Sequence, residues 1–248
     1  MAYDVVISNT TYEGIDTVQL PLDGGGNAAF VDGETIDKLL NGTITSISLG
    51  SGITSNLRQY AFQGCTALTT VSAPTLSRVQ QYTFQGCTAL TNVDFWSNLT
   101  VIYNYAFQGC TSLSGEINLP AITGLTGTNA FQGCTGITKF IFGFTETGAI
   151  TNGVGTSFKG CTALKTVDLG FGNKIDRSAF EGCTVLDTLI LRRTAGIVSL
   201  ANATPFLNGT TDVTVYVPSD LIATYQADSN WAAQTVVTFS ALENSAYA

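Results

Sequence analysis

The sequence predicts a repeat solenoid of the α/β type, in which short parallel strands stack and are joined by short helical turns. Three observations lead there. One heptapeptide recurs six times at steps of 22, 23, 24, 27 and 22 residues, and a short segment alternating polar and apolar residues follows each copy. The composition, rich in Thr, Ser, Asn and Gly but only 11% charged, suits strands and turns rather than long surface helices.

Residues 1–43 stand outside the repeat. Asp4 to Ile7, Tyr12 to Pro21 and Asp23 to Asp32 read as short strands joined by turns. Gly24-Gly25-Gly26 reads as a flexible turn, because no P-loop lysine or strand-to-helix frame accompanies it. The alternation of Ile44, Ile47 and Leu49 marks a first solenoid strand.

The heptapeptide is Phe62-Gln63-Gly64-Cys65-Thr66-Ala67-Leu68, then Phe84 to Leu90, Phe107 to Leu113, Phe131 to Ile137, Phe158 to Leu164 and Phe180 to Leu186. The strands that follow are centred on Val71, Val93, Ile117, Phe140, Val167 and Leu189, with one apolar face turned inward. Ser114 and Gly115 add one residue before the third, so a bulge is expected there to keep Ile117 inward. The variable step places a loop insertion in Gly143 to Gly155, and Val213, Val215 and Val217 form a last, degenerate strand. The strands are expected to make one continuous parallel ribbon.

Within each unit the fixed positions have mechanical readings. Phe62, Phe84, Phe107, Phe131, Phe158 and Phe180 would stack as an internal ladder, and the following Gly suits a left-handed residue closing a turn. The Thr after each Cys can bond local backbone. Cys65, Cys87, Cys110, Cys134, Cys161 and Cys183 fall in one column at ~4.8 Å per rung. That spacing does not forbid disulfides, but equivalent side chains point the same way, so buried free thiols are expected. A straight column cannot surround a tetrahedral metal.

Beyond the last strand, Pro218-Ser219-Asp220 opens a helix with Ser219 as N-cap and Leu221, Ile222, Tyr225 and Trp231 on its apolar side. With Val236 to Phe239 it would cover the open end of the stack. The division is therefore an N-terminal attachment or capping β segment (1–43), a solenoid (44–217) and a C-terminal cap (218–248).

The units resemble the BspA-like leucine-rich-repeat family, whose pattern of Ala-Phe, Cys, Leu and a strand ending near Pro is matched by Tyr60-Ala61-Phe62, Cys65, Leu68, Val71 and Pro74. Ala106-Phe107, Cys110, Leu113, Ile117 and Pro120 match it again. The resemblance implies a surface-exposed or adhesive protein and no catalyst. Tyr12, Val18, Gln19, Pro21, Gly24 to Gly26 and Phe30 resemble an N-terminal module of structural proteins of tailed gut phages. That likeness implies a segment that attaches to other virion proteins.

Composition excludes several function classes. With no histidine, neither a Ser-His-Asp triad nor a Cys-His pair can be assembled. A net charge of −8 disfavours nucleic acid and anionic membrane surfaces. No apolar run approaches the ~18 residues of a membrane span, and Met1-Ala2-Tyr3-Asp4 lacks the basic and apolar regions of an export signal. Asp94 and Asp168 would lie three rungs apart, about 14 Å at ~4.8 Å per rung, too far for glycosidase geometry. Asp94 and Glu116 would be diagonal neighbours at ~7–8 Å, which keeps a glycan-active enzyme as a remote alternative. Glu116 is also expected to face Lys139.

The outward strand positions are Thr70, Ser72, Asn92, Asp94, Glu116, Asn118, Lys139, Ile141, Thr166, Asp168, Thr188 and Ile190. They read either as an extended binding face for sugar hydroxyls or peptide backbone, or as a merely solvated surface. Tyr60, Tyr82 and Tyr105 form a second stripe, for which packing at the core edge is the stronger explanation. Asn41-Gly42-Thr43 and Asn208-Gly209-Thr210 read as chance matches to a glycosylation motif.

The resulting expectation is a non-enzymatic, cofactor-free component of a phage virion surface, a fibre or decoration protein that adheres to a bacterial surface glycan or protein. A homo-oligomer is allowed. A bacterial cell-surface adhesin is the alternative.

Overall fold

Each heptapeptide folds as a tight turn in which successive N–H groups reach back three residues. In the first copy Gln63 N–H donates to Tyr60 O, Cys65 N–H to Phe62 O and Leu68 N–H to Cys65 O, at 3.0–3.2 Å. The turn closes on a left-handed glycine, with φ between +73° and +78° at Gly64, Gly86, Gly109, Gly133, Gly160 and Gly182. The leucine after it then enters the core and the chain straightens into a strand.

The computed structural model describes residues 2–7, 10–16, 45–49, 56–57, 59–125, 128–143, 154–176, 178–200, 213–231 and 234–239. Asp23 to Asp32 with its glycine run, Ile44, most of the 143–155 insertion, Asn41 and Asn208 lie outside them. β1 (Ala2–Ile7) and β2 (Thr10–Asp16) form an antiparallel hairpin, and β1 pairs antiparallel with β3 (Ser46–Leu49). A short back strand follows, β4 (Asn56–Leu57).

Later units alternate a front strand and a two-residue back strand. They are β5 (Thr70–Ser72) and β6 (Arg78–Val79), β7 (Asn92–Val93) and β8 (Val101–Ile102), then β9 (Ser114–Leu119) and β10 (Gly124–Leu125). β11 (Gly136–Phe142) is followed by β12 (Thr166–Asp168) and β13 (Lys174–Ile175), β14 (Thr188–Ile190) and β15 (Ser199–Leu200), and β16 (Thr214–Val217). A 3₁₀ turn (Ser219–Leu221), α1 (Ile222–Ala227) and β17 (Thr235–Thr238) end the described chain. The joints expected to be helical are turns, and the back ladder of two-residue strands is a feature that the alternation did not reveal.

The stack is continuous, but the front ribbon is not. Its strands divide into one sheet ordered β2-β1-β3-β5-β7 and another ordered β9-β11-β12-β14-β16-β17. Among the described residues the back ladder runs β4-β6-β8-β10 and so crosses that break.

The front break has a local cause. After Val93 the chain turns away into a 3₁₀ turn at Trp96–Asn98, and the Trp96 ring lies 5.0 Å from that of Phe107 and 6.2 Å from that of Phe131. The extra residue of the third unit is absorbed beside it. Gly115 takes φ +78°, and the ladder slips between Ile137 and Lys139, leaving Thr138 of β11 as the unpaired residue. Ile117 stays inward and buried. The bulge therefore exists, on the strand opposite the inserted residue.

The core is a set of parallel columns. The six ladder phenylalanines are fully buried, with neighbouring rings stacked at 5.3, 5.2, 5.3, 6.4 and 5.6 Å; the widest gap spans the insertion. Backbone binds the turns together: Phe84 N–H donates to Ala106 O and Gly86 N–H to Gln108 O, each 2.8 Å, and the pattern repeats along the stack. At the C-terminal end Tyr225 and Trp231 are buried and clamp one residue. Val198 N–H donates to Tyr225 Oη (2.8 Å) and Trp231 Nε1–H to Val198 O (2.9 Å). Ser219 sits inside the 3₁₀ turn and makes no capping bond, which corrects its assignment as N-cap.

Candidate functional site

Strand alternation turns every second front residue outward, and the structure separates these residues into three groups. Thr70, Asn92, Asp94, Glu116 and Asn118 are exposed; Ser72, Lys139, Ile141, Thr166 and Thr188 are half-buried; Asp168 and Ile190 are buried at 1% exposure each. The last two were read as outward-facing, and the structure corrects both. Arg192 accounts for Asp168: its Nε lies 2.9 Å and 3.2 Å from the two carboxylate oxygens, and Gly170 N–H adds a bond of 2.9 Å. The guanidinium also sits 5.8 Å from the centre of the Phe239 ring. This end of the face is closed by its own side chains.

At the opposite end the face is open. A hollow of about 240 Å³ is lined by Ser46, Ile47, Ser48, Thr70, Val71, Ser72, Asn92 and Asp94. Parallel register brings these together: Ser46 pairs with Thr70 and Thr70 with Asn92, while Ser48 pairs with Ser72. Asp94 is held in place, because Ala73 N–H donates to its Oδ1 at 2.7 Å and Ser72 Oγ donates to its Oδ2. A fixed carboxylate with spare acceptor lone pairs, surrounded by hydroxyls and an amide, can bond a polyhydroxylated surface. Ser46 and Ser48 were missed in the sequence, although the alternation Ser46-Ile47-Ser48 carries the signal.

The paired-carboxylate reading loses its geometric basis. Asp94 follows β7 and Glu116 lies on β9, which belong to different sheets. Each is exposed and already engaged, Asp94 by Ser72 and Ala73, Glu116 by Lys139 Nζ at 3.1 Å. An open face of this kind provides no desolvated cleft for hydrolysis.

Two further columns emerge. Gln63, Gln85, Gln108 and Gln132 form a side-chain amide ladder, each donating to the next, and the same column continues as the Lys159–Glu181 ion pair at 3.1 Å. Tyr60, Tyr82 and Tyr105 stack on one another, Tyr82 and Tyr105 half-buried at the edge of the core and Tyr60 40% exposed. All six cysteines are buried, and none is joined in a disulfide. Burial pushes the Cys134 and Cys183 thiols up to about 12 and raises those of Cys110 and Cys161, so none of these four is a nucleophile near neutral pH. Among the described residues no helix is long and apolar enough to cross a membrane.

The description "BspA type Leucine rich repeat region" matches residues 39–149 and 154–206 in six copies. No curated protein sequence matches the chain. Among solved structures it is similar to a leucine-rich-repeat protein of T. pallidum, with 19% identity over 74% of this chain and 84% of that one, at a TM-score of 0.46. A leucine-rich cell surface protein of Faecalibacterium prausnitzii shares 16% identity over 78% of each chain, at 0.31. A leucine-rich-repeat protein of Bacteroides ovatus shares 16% over 95% and 90%, at 0.25.

Proposed function

This chain belongs to the BspA-type leucine-rich-repeat family, and we propose that it is a non-catalytic binding protein of a bacterial cell surface, with the N-terminal half of its front sheet as the ligand face. The observation that carries this reading is the hollow at Ser46, Ser48, Thr70, Ser72, Asn92 and Asp94. It is open, with hydroxyl and amide groups set around Ile47 and Val71, and its one carboxylate is preorganised by two hydrogen bonds. The ligand class that fits is a surface glycan. Hydroxyls can donate to Asp94 and exchange bonds with the Ser, Thr and Asn groups, and the shallow shape accommodates an extended chain.

The bacterial surface replaces the virion as the preferred setting, because the match is to the BspA-type family and spans most of the solenoid. Residues 1–43 remain the proposed attachment segment.

Titration of purified bacterial surface polysaccharides against the chain tests the reading. Asp94→Ala combined with Ser72→Ala should weaken binding by ~1.5–3 kcal/mol, the range for hydrogen bonds to a charged group. Lys165→Ala, at an exposed ion pair with Asp187 away from the hollow, should leave it unchanged. Equal binding by wild type and the double variant would reject this face. Antibody labelling of intact producing cells, against labelling of phage particles, separates the two settings.

A further inference from the structure

Tyr60, Tyr82 and Tyr105 occupy the turn position two residues before the ladder Phe of their units, and all three hold left-handed backbone, with φ of 64°, 59° and 58°. This conformation is costly for a bulky aromatic residue, and the same position elsewhere carries Asn129 and Ser178, which accept it more readily. The strained backbone is pinned between units. Tyr60 N–H donates to Gln81 O at 3.2 Å, Tyr82 N–H to Asn104 O at 3.1 Å and Tyr105 N–H to Thr128 O at 3.2 Å. The rings consequently lie face to face, 4.8 Å apart and within 5° and 6° of parallel. The backbone bonds between units hold the rungs that carry these rings at a fixed spacing.

We propose that this column is an oxidative cross-linking site, at which a peroxidase with hydrogen peroxide joins neighbouring tyrosines as dityrosine. Each of two phenols gives up one electron and its hydroxyl proton to become a phenoxyl radical. The two electrons and two protons reduce one hydrogen peroxide to two waters. The radicals couple through ring carbons ortho to oxygen, a carbon–carbon bond forms, and the ortho hydrogens move to the oxygens to restore two phenols. In most folds a tyrosyl radical must wait for an encounter; here its partner is the adjacent ring, held at an effective concentration no second molecule reaches. The product would staple consecutive units on the solvent side. The thiols offer no such staple, because they are buried.

The test is treatment of the full chain with horseradish peroxidase and hydrogen peroxide at low protein concentration, followed by dityrosine fluorescence and peptide mass mapping. The expected product is a monomer lighter by two hydrogens, with a cross-linked peptide joining Tyr82 to Tyr60 or Tyr105. Tyr82→Phe keeps a stackable ring but removes the shared phenol and should lower that intramolecular yield by about tenfold or more. Tyr103→Phe should not. Unchanged yield in Tyr82→Phe, or cross-links confined to other tyrosines or to pairs of molecules, would overturn the proposal. Retained protection of the native thiols in the variants confirms that the fold is intact.

Discussion

The thiol of Cys87 donates a hydrogen bond of 3.0 Å to the carbonyl oxygen of Phe62, one unit earlier. The relation repeats for Cys110 with Phe84, Cys134 with Phe107, Cys161 with Phe131 and Cys183 with Phe158, at 3.0–3.2 Å. Each of these carbonyls also receives the N–H of the Cys in its own turn, so both lone pairs are used. The column of cysteines is a column of buried donors. Removing one in mid-stack, by Cys110→Ala, leaves a small void and a weakened acceptor and should cost ~1–3 kcal/mol in urea unfolding.

The same burial sets the response to alkali. The folded thiols of Cys134 and Cys183 stand near 12 against an ordinary value of 9.0, so the unfolded chain loses protons first as pH rises. Their contribution is whole below pH 9 and is lost as pH climbs from there through about 12. Urea midpoints should be level from pH 7 to 9 and fall steadily above it. A midpoint rising over the alkaline range would contradict the assignment.

Deleting a ring from the aromatic ladder should be more damaging. Phe107 touches the rings of Phe84, Phe131 and Trp96, and it spans the rung at which the front sheet breaks. Phe107→Ala should cost ~3–5 kcal/mol. Thermal unfolding measures the loss directly.

Gly136 departs from the Ala or Ser found at its position in the first three units because the slipped register brings a carbonyl close. A methyl group there would lie 2.6 Å from Leu113 O. Gly136→Ala should therefore destabilise by ~1–3 kcal/mol, which thermal melts can detect. The reverse change Ala67→Gly, at an unslipped unit, should show no comparable clash relief.

Asp168 is buried at 1% exposure and depends on Arg192 for its charge partner. Arg192→Met should cost about 3 kcal/mol, the lower end for breaking a buried pair, since Arg192 keeps partial contact with solvent. Replacing both, as Asp168→Leu with Arg192→Met, should recover most of that loss. Chemical denaturation of wild type, Asp168→Leu, Arg192→Met and the double variant closes the cycle.

The solenoid was legible because six in-phase copies of Phe-x-Gly-Cys-Thr-x-Leu, the fourth with Ile137 in the last place, can satisfy their apolar groups only by stacking. The face was legible in part. Alternation indicates which residues leave the sheet plane on the outer side, but it carries no information about what later covers them, so Asp168 and Ile190 were placed outside although Arg192 and the cap enclose that end. The back ladder escaped notice because two-residue strands show no periodicity. The tyrosines were visible as a stripe, yet their face-to-face stacking depends on a turn geometry that residue type alone does not specify.

The sequence by itself determined the repeat, the parallel stacking and the sharing of columns, because a fixed residue at a fixed phase in a one-dimensional stack has no other place to go. Tertiary structure decided where the front sheet breaks, which strand carries the bulge, how thiols join successive backbones and which half of the face stays open. Those outcomes depend on distances between groups many residues apart, set by the balance of all the units packed together.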